Sequence, residues 1–178
     1  MAIGTKRADI DQIGMVTADL DRSVRMWTAM FGVGPWQIYR NVALAGTYRG
    51  QDAPVTMDVA LGYRGTTQIE FIHVKSSGPC PYLDAAGRPI EGLHHVAWIV
   101  DDIDAEAQAL EAEGLVPVFI ASNPAVRVIY LEDPGQPGIL YELISGEGSR
   151  AQHDAGQAQA RAWNGSDSLP EFDFAALG

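Results

Sequence analysis

The sequence is poor in cysteine, in basic side chains and in long apolar runs, and each shortage excludes a class of protein. Cys80 is the only cysteine, so no disulfide can form within the chain, and a reducing cytoplasm is the expected location. Only 12 lysines and arginines oppose 23 aspartates and glutamates, and the net charge of -11 disfavours nucleic acid or an anionic membrane as a partner. No apolar run reaches membrane-spanning length, and residues 1–10 lack the apolar core of a signal peptide. We therefore expect a small-molecule partner, no nucleic acid and no membrane.

What the sequence does contain is an internal repeat that relates its two halves. Residues 93–104 align with residues 10–21, which places His95 opposite Gln12. Residues 140–144 align with residues 68–72, which places Glu142 opposite Glu70. Because both matches keep the same order along the chain, the two halves are expected to share one arrangement of secondary structure.

Apolar periodicity predicts that each half is a βαβββ module, so the expected fold class is α+β with two such modules in tandem. Proline and glycine between the halves indicate a linker. The predicted boundaries are 8–75 for the first module, 76–91 for the linker, 92–146 for the second module, 1–146 for the whole domain and 147–178 for a C-terminal extension. Residues 149–163 of that extension are expected to be helical, and the rest could pack on the domain or on a partner subunit.

Turn residues and helical spacing give the first module more detail. Asp19 is expected to cap a helix whose apolar stripe is formed by Leu20, Val24, Trp27 and Phe31. Residues 36–39 are predicted to be a short strand. Residues 41–54 are predicted to be an extended loop, because glycine and proline interrupt them. A hairpin turn is expected at Arg64-Gly65.

Four polar residues interrupt apolar strand faces at equivalent places in the two modules: Gln12, Glu70, His95 and Glu142. A buried carboxylate is costly unless it is paired or binds a metal, and a shared cation would account for both glutamates. One imidazole nitrogen and three oxygens suit a single divalent ion such as Zn, Ni, Co, Mn or Mg. The alternative is that the glutamates are solvated and the histidine is a hydrogen-bonded core residue.

His94 competes with His95 for the role of ligand. Alternation along a strand sends the two side chains to opposite faces, and the repeat selects His95 because it aligns with Gln12. His73 and His153 have no counterpart in the other half and are expected to be structural or exposed.

Several short motifs together resemble the vicinal oxygen chelate superfamily, which includes glyoxalase I, methylmalonyl-CoA epimerase, extradiol dioxygenases and the bleomycin and fosfomycin resistance proteins. The resemblance covers about residues 8–146, and its motifs are Gln12-Ile13-Gly14, Ala18-Asp19-Leu20-Asp21, Ile69-Glu70-Phe71, His95-Val96-Ala97, Asp101-Asp102-Ile103-Asp104 and Tyr141-Glu142-Leu143-Ile144. It implies a mixed sheet that curls around a cleft, a metal held by Gln12, Glu70, His95 and Glu142, and a homodimer.

The resemblance also separates the chemistries of the superfamily. The order Gln, Glu, His, Glu resembles one type of glyoxalase I, whereas the epimerase usually has histidine first and glutamine second. Extradiol dioxygenases use two histidines and one glutamate, so Gln12 disfavours that activity. The implied reaction is that of an isomerase, epimerase or lyase that transfers a proton next to a metal-polarised carbonyl, with Glu142 and secondarily Glu70 as the base.

The substrate is expected to be small and rather apolar. The arginines are scattered, so no basic cluster is available to bind a glutathione or coenzyme A group. Aromatic side chains could line an apolar pocket instead, and the candidates are Trp36, Tyr39, Tyr48 and Tyr130. Two other functions stay open: a binding or sequestering protein without catalysis, like the drug-resistance members, and a dioxygenase.

Overall fold

The computed structural model describes residues 9–166 and 169–174, and within them the chain forms ten strands and three helices. In chain order the elements are β1 (Gln12–Val16), α1 (Leu20–Phe31), β2 (Gln37–Tyr48), β3 (Gln51–Asp52), β4 (Val55–Arg64), β5 (Thr67–Val74), β6 (Gly92–Ile99), α2 (Ile103–Ala112), β7 (Val116–Ser122), β8 (Arg127–Glu132), β9 (Leu140–Ser145), α3 (Ser149–Ala162) and β10 (Glu171–Asp173). The α+β class predicted from the sequence is confirmed. None of the described helices is long and apolar enough to cross a membrane.

The strands form one sheet that curls until its ends meet. The order is β10-β2-β4-β5-β1-β6-β9-β8-β7, and an additional pairing of β2 with β7 closes the ring. In each module the first and last strands are parallel neighbours, β1 with β5 and β6 with β9, and the modules join where β1 runs antiparallel to β6. The four strands that carry the repeated polar residues therefore lie side by side as β5-β1-β6-β9, as the resemblance implied.

The prediction of an extended loop over residues 41–54 is wrong. Strand β2 runs on to Tyr48, pairing first with β4 and then, over residues 45–48, with β7. A register shift between Tyr39 and Val42 absorbs the irregularity, and Asn41 there has a positive φ of 56°. Gly46 interrupts the pattern for a packing reason, since a Cβ at this position would overlap the backbone carbonyl of Ile120. The segment closes the sheet and is not a loop over it.

Three smaller boundaries also differ from the predictions. Strand β1 begins at Gln12, whereas the first module was predicted to begin at residue 8, which lies outside the described residues. The turn between β4 and β5 is formed by residues 65–66. Phe31 is 49% exposed and does not join the buried stripe of α1, because the helix ends there at its Gly32 cap.

The apolar core has three parts, one inside the curled sheet and one under each of the first two helices. The helices pack on the outer face, where Leu20 and Val24 of α1 meet the first module and Ile103 and Leu110 of α2 meet the second. The interior cluster includes Tyr82, which is fully buried although it lies between the modules. Residues 76–91 are thus partly core rather than an exposed linker.

The C-terminal segment packs on the domain. Helix α3 matches the predicted helix and lies against β4 and β5, while β10 adds to the edge of β2. The predicted extension also includes residues 167–168 and 175–178, which lie outside the described part of the chain.

Candidate metal centre

Small residues at equivalent positions of the repeat bring the four polar side chains together. In the register of the sheet, Gly14 of β1 lies between His95 of β6 and Glu70 of β5. Ala97 of β6, which aligns with Gly14 in the repeat, lies between Gln12 of β1 and Glu142 of β9. All six positions share one face of the sheet because the side chains of a strand alternate.

The three oxygen-bearing side chains converge on one nitrogen of His95. Its Nε2 atom lies 2.9 Å from Glu142 Oε2 and 3.1 Å from Glu70 Oε2. Gln12 Oε1 lies 3.2 Å from the same nitrogen. His95 is fully buried, and Glu142 and Gln12 are each 4% exposed, so the cluster is shielded from bulk water. The structure thus brings together every residue that the sequence suggested as a metal ligand.

Gly14 makes room for the imidazole of His95. A Cβ atom built at position 14 would overlap the ring itself, so no other residue fits there without displacing the histidine. The other face of the ring is covered by Tyr130, whose ring centroid lies 5.2 Å away in a stacked arrangement. His95 is therefore clamped between the β1 backbone and an aromatic side chain.

The hydrogen bonds of His94 fix the tautomer of His95. The carbonyl oxygen of Pro81 only accepts, so His94 Nε2, 2.9 Å away, carries a proton and donates it. In neutral His94 the Nδ1 atom is then an acceptor, and it lies 3.0 Å from Nδ1 of His95. His95 donates from Nδ1, which leaves its Nε2 facing the three oxygen atoms. Fixing a ligating histidine through its second nitrogen is the usual arrangement at metal sites.

Burial and the two glutamates shift the pKa values of His94 and His95 in opposite directions. Burial together with neighbouring His95 lowers the pKa of His94 to about 3, so His94 is neutral. Burial disfavours a charge on His95 too, but Glu142 and Glu70 outweigh it and raise the pKa of His95 to about 10. Burial raises the pKa of Glu142, and the positive charge of His95 offsets this only in part.

The cluster has the donor chemistry of a divalent metal site. One ligand atom each from Glu70, His95 and Glu142 lies within 4.8 Å of the other two, and Gln12 adds an amide oxygen. Glu142 Oε2 is buried, yet no donor among the described residues forms an aligned hydrogen bond to it. Three oxygen atoms crowded around one nitrogen repel each other unless a proton or a metal cation lies among them. These residues fit a divalent ion bound by mixed oxygen and nitrogen ligands.

The cluster lies at the base of a cleft of about 720 Å³ inside the curled sheet. Its walls are mostly apolar, with contributions from Leu44, Met57, Val59, Ile72, Val128 and Ile144. Among the expected substrate-binding residues, Tyr39 and Tyr130 line the cleft. Trp36 does not, because it is buried at the outer core against Phe71. Tyr48 also lies away from the cleft, near the closure of the sheet and under Arg49.

Sequence reasoning missed three residues that border the site. Gln68 accepts a 2.8 Å hydrogen bond from Gln12, and its position two residues before Glu70 on the same strand face was a usable signal. His94 was assigned to the opposite face, but it reaches His95 through the ring nitrogens. His153 was expected to be structural or exposed. It is 2% exposed and lines the cleft, and no periodic signal pointed to that position.

Comparisons with known proteins agree with this architecture. The family model of the glyoxalase/bleomycin resistance protein/dioxygenase superfamily matches residues 11–130. The match ends within β8, so Glu142 and helix α3 lie beyond it. No curated protein matches the sequence significantly.

Several solved structures are similar to this chain. Methylmalonyl-CoA epimerase from Mycobacterium tuberculosis is 19% identical, with a TM-score of 0.51 over 80% of this chain and 91% of that one. A hypothetical protein from Bacillus halodurans is 19% identical, with a TM-score of 0.49 over 77% of this chain and 93% of that one. A Streptomyces coelicolor methylmalonyl-CoA epimerase variant is 20% identical, with a TM-score of 0.46 over 78% and 94%. At these identities the likeness concerns the fold.

Proposed function

Because the chain belongs to the glyoxalase/bleomycin resistance protein/dioxygenase superfamily, we propose that it is a metal-dependent isomerase, epimerase or lyase. Its reaction moves a proton at a carbon atom next to a carbonyl group. The observation that carries the proposal is the convergence of Glu70, His95 and Glu142, with Gln12, at the base of a large cleft. Buried carboxylates beside a ligand-binding cavity are a frequent mark of acid and base catalysis.

Each residue of the cluster has a distinct part in this chemistry. A divalent ion held by Gln12, Glu70, His95 and Glu142 would supply Lewis-acid polarisation of a substrate carbonyl. Glu142 is the first candidate for the base, because it lines the cleft and burial raises the pKa of its carboxyl group. Glu70 is the second candidate, being the more exposed of the two carboxylates, with 14% of its side chain accessible. The apolar walls around them exclude water and so protect a carbanion-like species from unproductive protonation.

The lining of the cleft favours an uncharged substrate. No lysine or arginine is found among the described residues that line it, whereas three glutamates are: Glu70, Glu142 and Glu147. An acyl-coenzyme A carries several phosphate charges, which need basic partners. The proposed substrate is therefore a small, mainly apolar carbonyl compound rather than the coenzyme A ester named for the epimerases of similar fold.

Metal content and proton exchange test the proposal together. Protein purified without chelator should contain about one equivalent of divalent metal, and His95→Ala should contain none. With apolar α-hydroxy ketones in D₂O, the wild type should catalyse deuterium exchange at the carbon beside the carbonyl, and methylmalonyl-CoA should not exchange.

Glu142→Gln should lower the exchange rate by about 10²- to 10⁴-fold with the fold intact. Glu147→Gln is the matched control, since Glu147 lines the cleft at its exposed margin. Exchange by Glu142→Gln at the wild-type rate would contradict the assigned base.

One observation favours a second function, that of a ligand-binding protein without catalysis. A protonated His95 between Glu70 and Glu142 compensates the buried negative charge without a metal. The cleft would then hold a ligand above a structural ion pair. In that case a ligand should raise the melting temperature equally in the wild type and in the Glu70→Ala, Glu142→Ala double variant. A shift seen only in metal-loaded wild type would count against this function.

A further inference from the structure

Helix α3 is fitted closely to the tyrosine at the end of β4. The ring of His153 meets the ring of Tyr63 edge to face, with centroids 5.3 Å apart. One turn further along α3, Gly156 lies so near Tyr63 that a Cβ there would overlap the aromatic ring. The helix therefore holds Tyr63 in one position from two sides.

Hydrogen bonds lead from Tyr63 to the metal cluster through two buried amides. Gln68 Nε2 donates to the Tyr63 hydroxyl at 2.6 Å, and Gln12 Nε2 donates to Gln68 Oε1 at 2.8 Å. The other atom of the Gln12 amide, Oε1, is the one that lies 3.2 Å from His95 Nε2. Tyr63, Gln68 and Gln12 are each less than 10% exposed, so water does not replace these bonds.

The donors and acceptors in this chain of hydrogen bonds all run in one direction. The protonation of His153, at the end away from the metal cluster, determines that direction. The Tyr63 hydroxyl lies 3.4 Å from His153 Nδ1, and it donates there when that nitrogen is unprotonated, which leaves its oxygen to accept from Gln68. An imidazole that accepts at Nδ1 carries its proton on Nε2. His153 Nε2 faces Asp11 Oδ1 at 3.6 Å, a distance at which the carboxylate favours a proton on that nitrogen electrostatically. Arg150 holds Asp11 in place through two contacts of 2.7 and 2.8 Å.

Reversing this direction would disable a ligand. If the Tyr63 hydroxyl donated to Gln68, the Gln68 amide would turn over and present its Nε2 to Gln12. Gln12 would then turn its Oε1 towards Gln68 and its Nε2 towards His95, Glu70 and Glu142. An amide nitrogen is not a metal ligand, so only the observed orientation completes the donor set.

We propose that helix α3, acting through His153, Tyr63 and Gln68, orients the amide of Gln12 so that its oxygen faces the metal site. This inference rests on the proposed metal-dependent function. Tyr63, Gln68 and His153 are positioning residues, because they act through Gln12 and do not contact the cluster's histidine.

Metal titration of the full-length protein tests this role. The metal-free wild type, Tyr63→Phe and His153→Phe are titrated with Co²⁺ by calorimetry, and the visible spectrum of bound Co²⁺ reports its ligands. Tyr48→Phe is the matched control, since Tyr48 lies away from the cleft and its hydroxyl contacts Arg49. We expect each of the two test variants to weaken Co²⁺ binding by about 10-fold or more and to change the spectrum. Tyr48→Phe should stay within about 2-fold of wild type on this scale.

A Gln12→Ala background separates positioning from a general structural effect. Without the Gln12 amide, adding Tyr63→Phe should cause no further loss of Co²⁺ affinity. An equal loss in both backgrounds would overturn the proposal, and so would wild-type affinity in Tyr63→Phe and His153→Phe. If the wild type binds neither Co²⁺ nor Zn²⁺, the metal-dependent function fails together with this inference. If it binds them and only the variants are unaffected, this inference alone fails.

Discussion

Two small residues decide whether the metal cluster can exist. Gly14 and Ala97 are equivalent in the repeat, and each separates two of the converging side chains. The two positions are not equally restricted, because only Gly14 lies directly beneath the His95 ring. Ala97 is fully buried but carries a methyl group without displacing a ligand. The repeat therefore specifies small side chains at both places and glycine at one of them.

Gly14→Ala should abolish the metal site by displacing its central ligand, His95. The added methyl group would overlap the His95 ring, so the ring or the β1 backbone must move. We expect the free energy of unfolding to fall by about 1–3 kcal/mol, as for other overpacked cores, and metal binding to be lost. Urea denaturation and Co²⁺ titration measure the two effects. Gly78→Ala is the control, because no described atom lies within 4 Å of a Cβ at that position. Wild-type metal affinity in Gly14→Ala would contradict the clamped ring.

His94→Phe should weaken metal binding although His94 is not itself one of the proposed ligands. Phenylalanine keeps an aromatic ring against Tyr82 but removes the acceptor for His95 Nδ1–H, so the tautomer of His95 is no longer fixed. We expect metal affinity to fall by about 10-fold. Calorimetric titration with Zn²⁺ measures the change, and His73→Phe, a histidine whose Nδ1 contacts Thr17 instead, should leave the affinity unchanged. Equal affinity in His94→Phe and wild type would mean that the protein fixes His95 by packing alone.

At the scale of elements, Gly156 of helix α3 is subject to two opposing effects on stability. Helix propensity favours alanine at this position, and packing against Tyr63 favours glycine. Gly156 lies in the interior of the helix, where alanine would normally stabilise it by about 1 kcal/mol. The Tyr63 ring occupies the space that the alanine methyl group needs. Packing should win, because a methyl group forced into a buried contact costs about 1–3 kcal/mol.

Gly156→Ala should therefore lower the melting temperature. The loss follows from displacing α3 from β4, and the same displacement should weaken the contact between His153 and Tyr63. Thermal unfolding followed by circular dichroism measures the sign directly. A higher melting temperature than wild type would show that helix propensity outweighs the contact with Tyr63.

The elements also show what the sequence could and could not predict. Alternation and the repeat placed Gln12, Glu70, His95 and Glu142 on one face, because those patterns depend on neighbours along a strand. The pairing of β2 with β7 joins residues far apart in the chain, and no local pattern reports it. The same holds for His153, whose contact with Tyr63 depends on where α3 docks. The predicted homodimer stays a prediction.

At the scale of the whole molecule, a buried carboxylate contributes to the free energy of unfolding, and that contribution is lost at acid pH. Asp58 on β4 is 6% exposed. Burial raises its pKa, but Lys75, the backbone N–H of Asn41 and Arg40 outweigh burial and hold the pKa of Asp58 below its usual value. A carboxyl whose pKa is lower in the folded state binds protons more weakly there than in the unfolded chain. Its contribution is therefore present above the unfolded pKa of about 3.9 and is lost as the pH falls through the folded value.

Asp58→Asn should remove this acid-dependent part of the stability. At neutral pH the variant should unfold about 1–3 kcal/mol more easily than wild type, since Lys75 and Arg40 lose a buried partner. The difference should shrink as the pH falls below about 4, where the Asp58 carboxyl of the unfolded chain takes up a proton before that of the folded protein does. Urea denaturation at a series of pH values measures it, with Asp52→Asn on exposed β3 as the control. A gap that stays constant down to pH 2 would contradict the assignment.

The closure of the sheet through β2 and β7 has a consequence for how the protein folds. Residues 45–48 can pair with residues 119–122 only after most of both modules has been synthesised. Formation of this pairing, the seam of the sheet, therefore costs a large loop-closure entropy. Formation of the seam should be a late event, and each module alone would leave one of its strand edges unpaired. In two copies of the chain, the same edges could pair between molecules during refolding. The seam thus makes refolding yield depend on protein concentration, whereas the finished ring presents no such edge at that position.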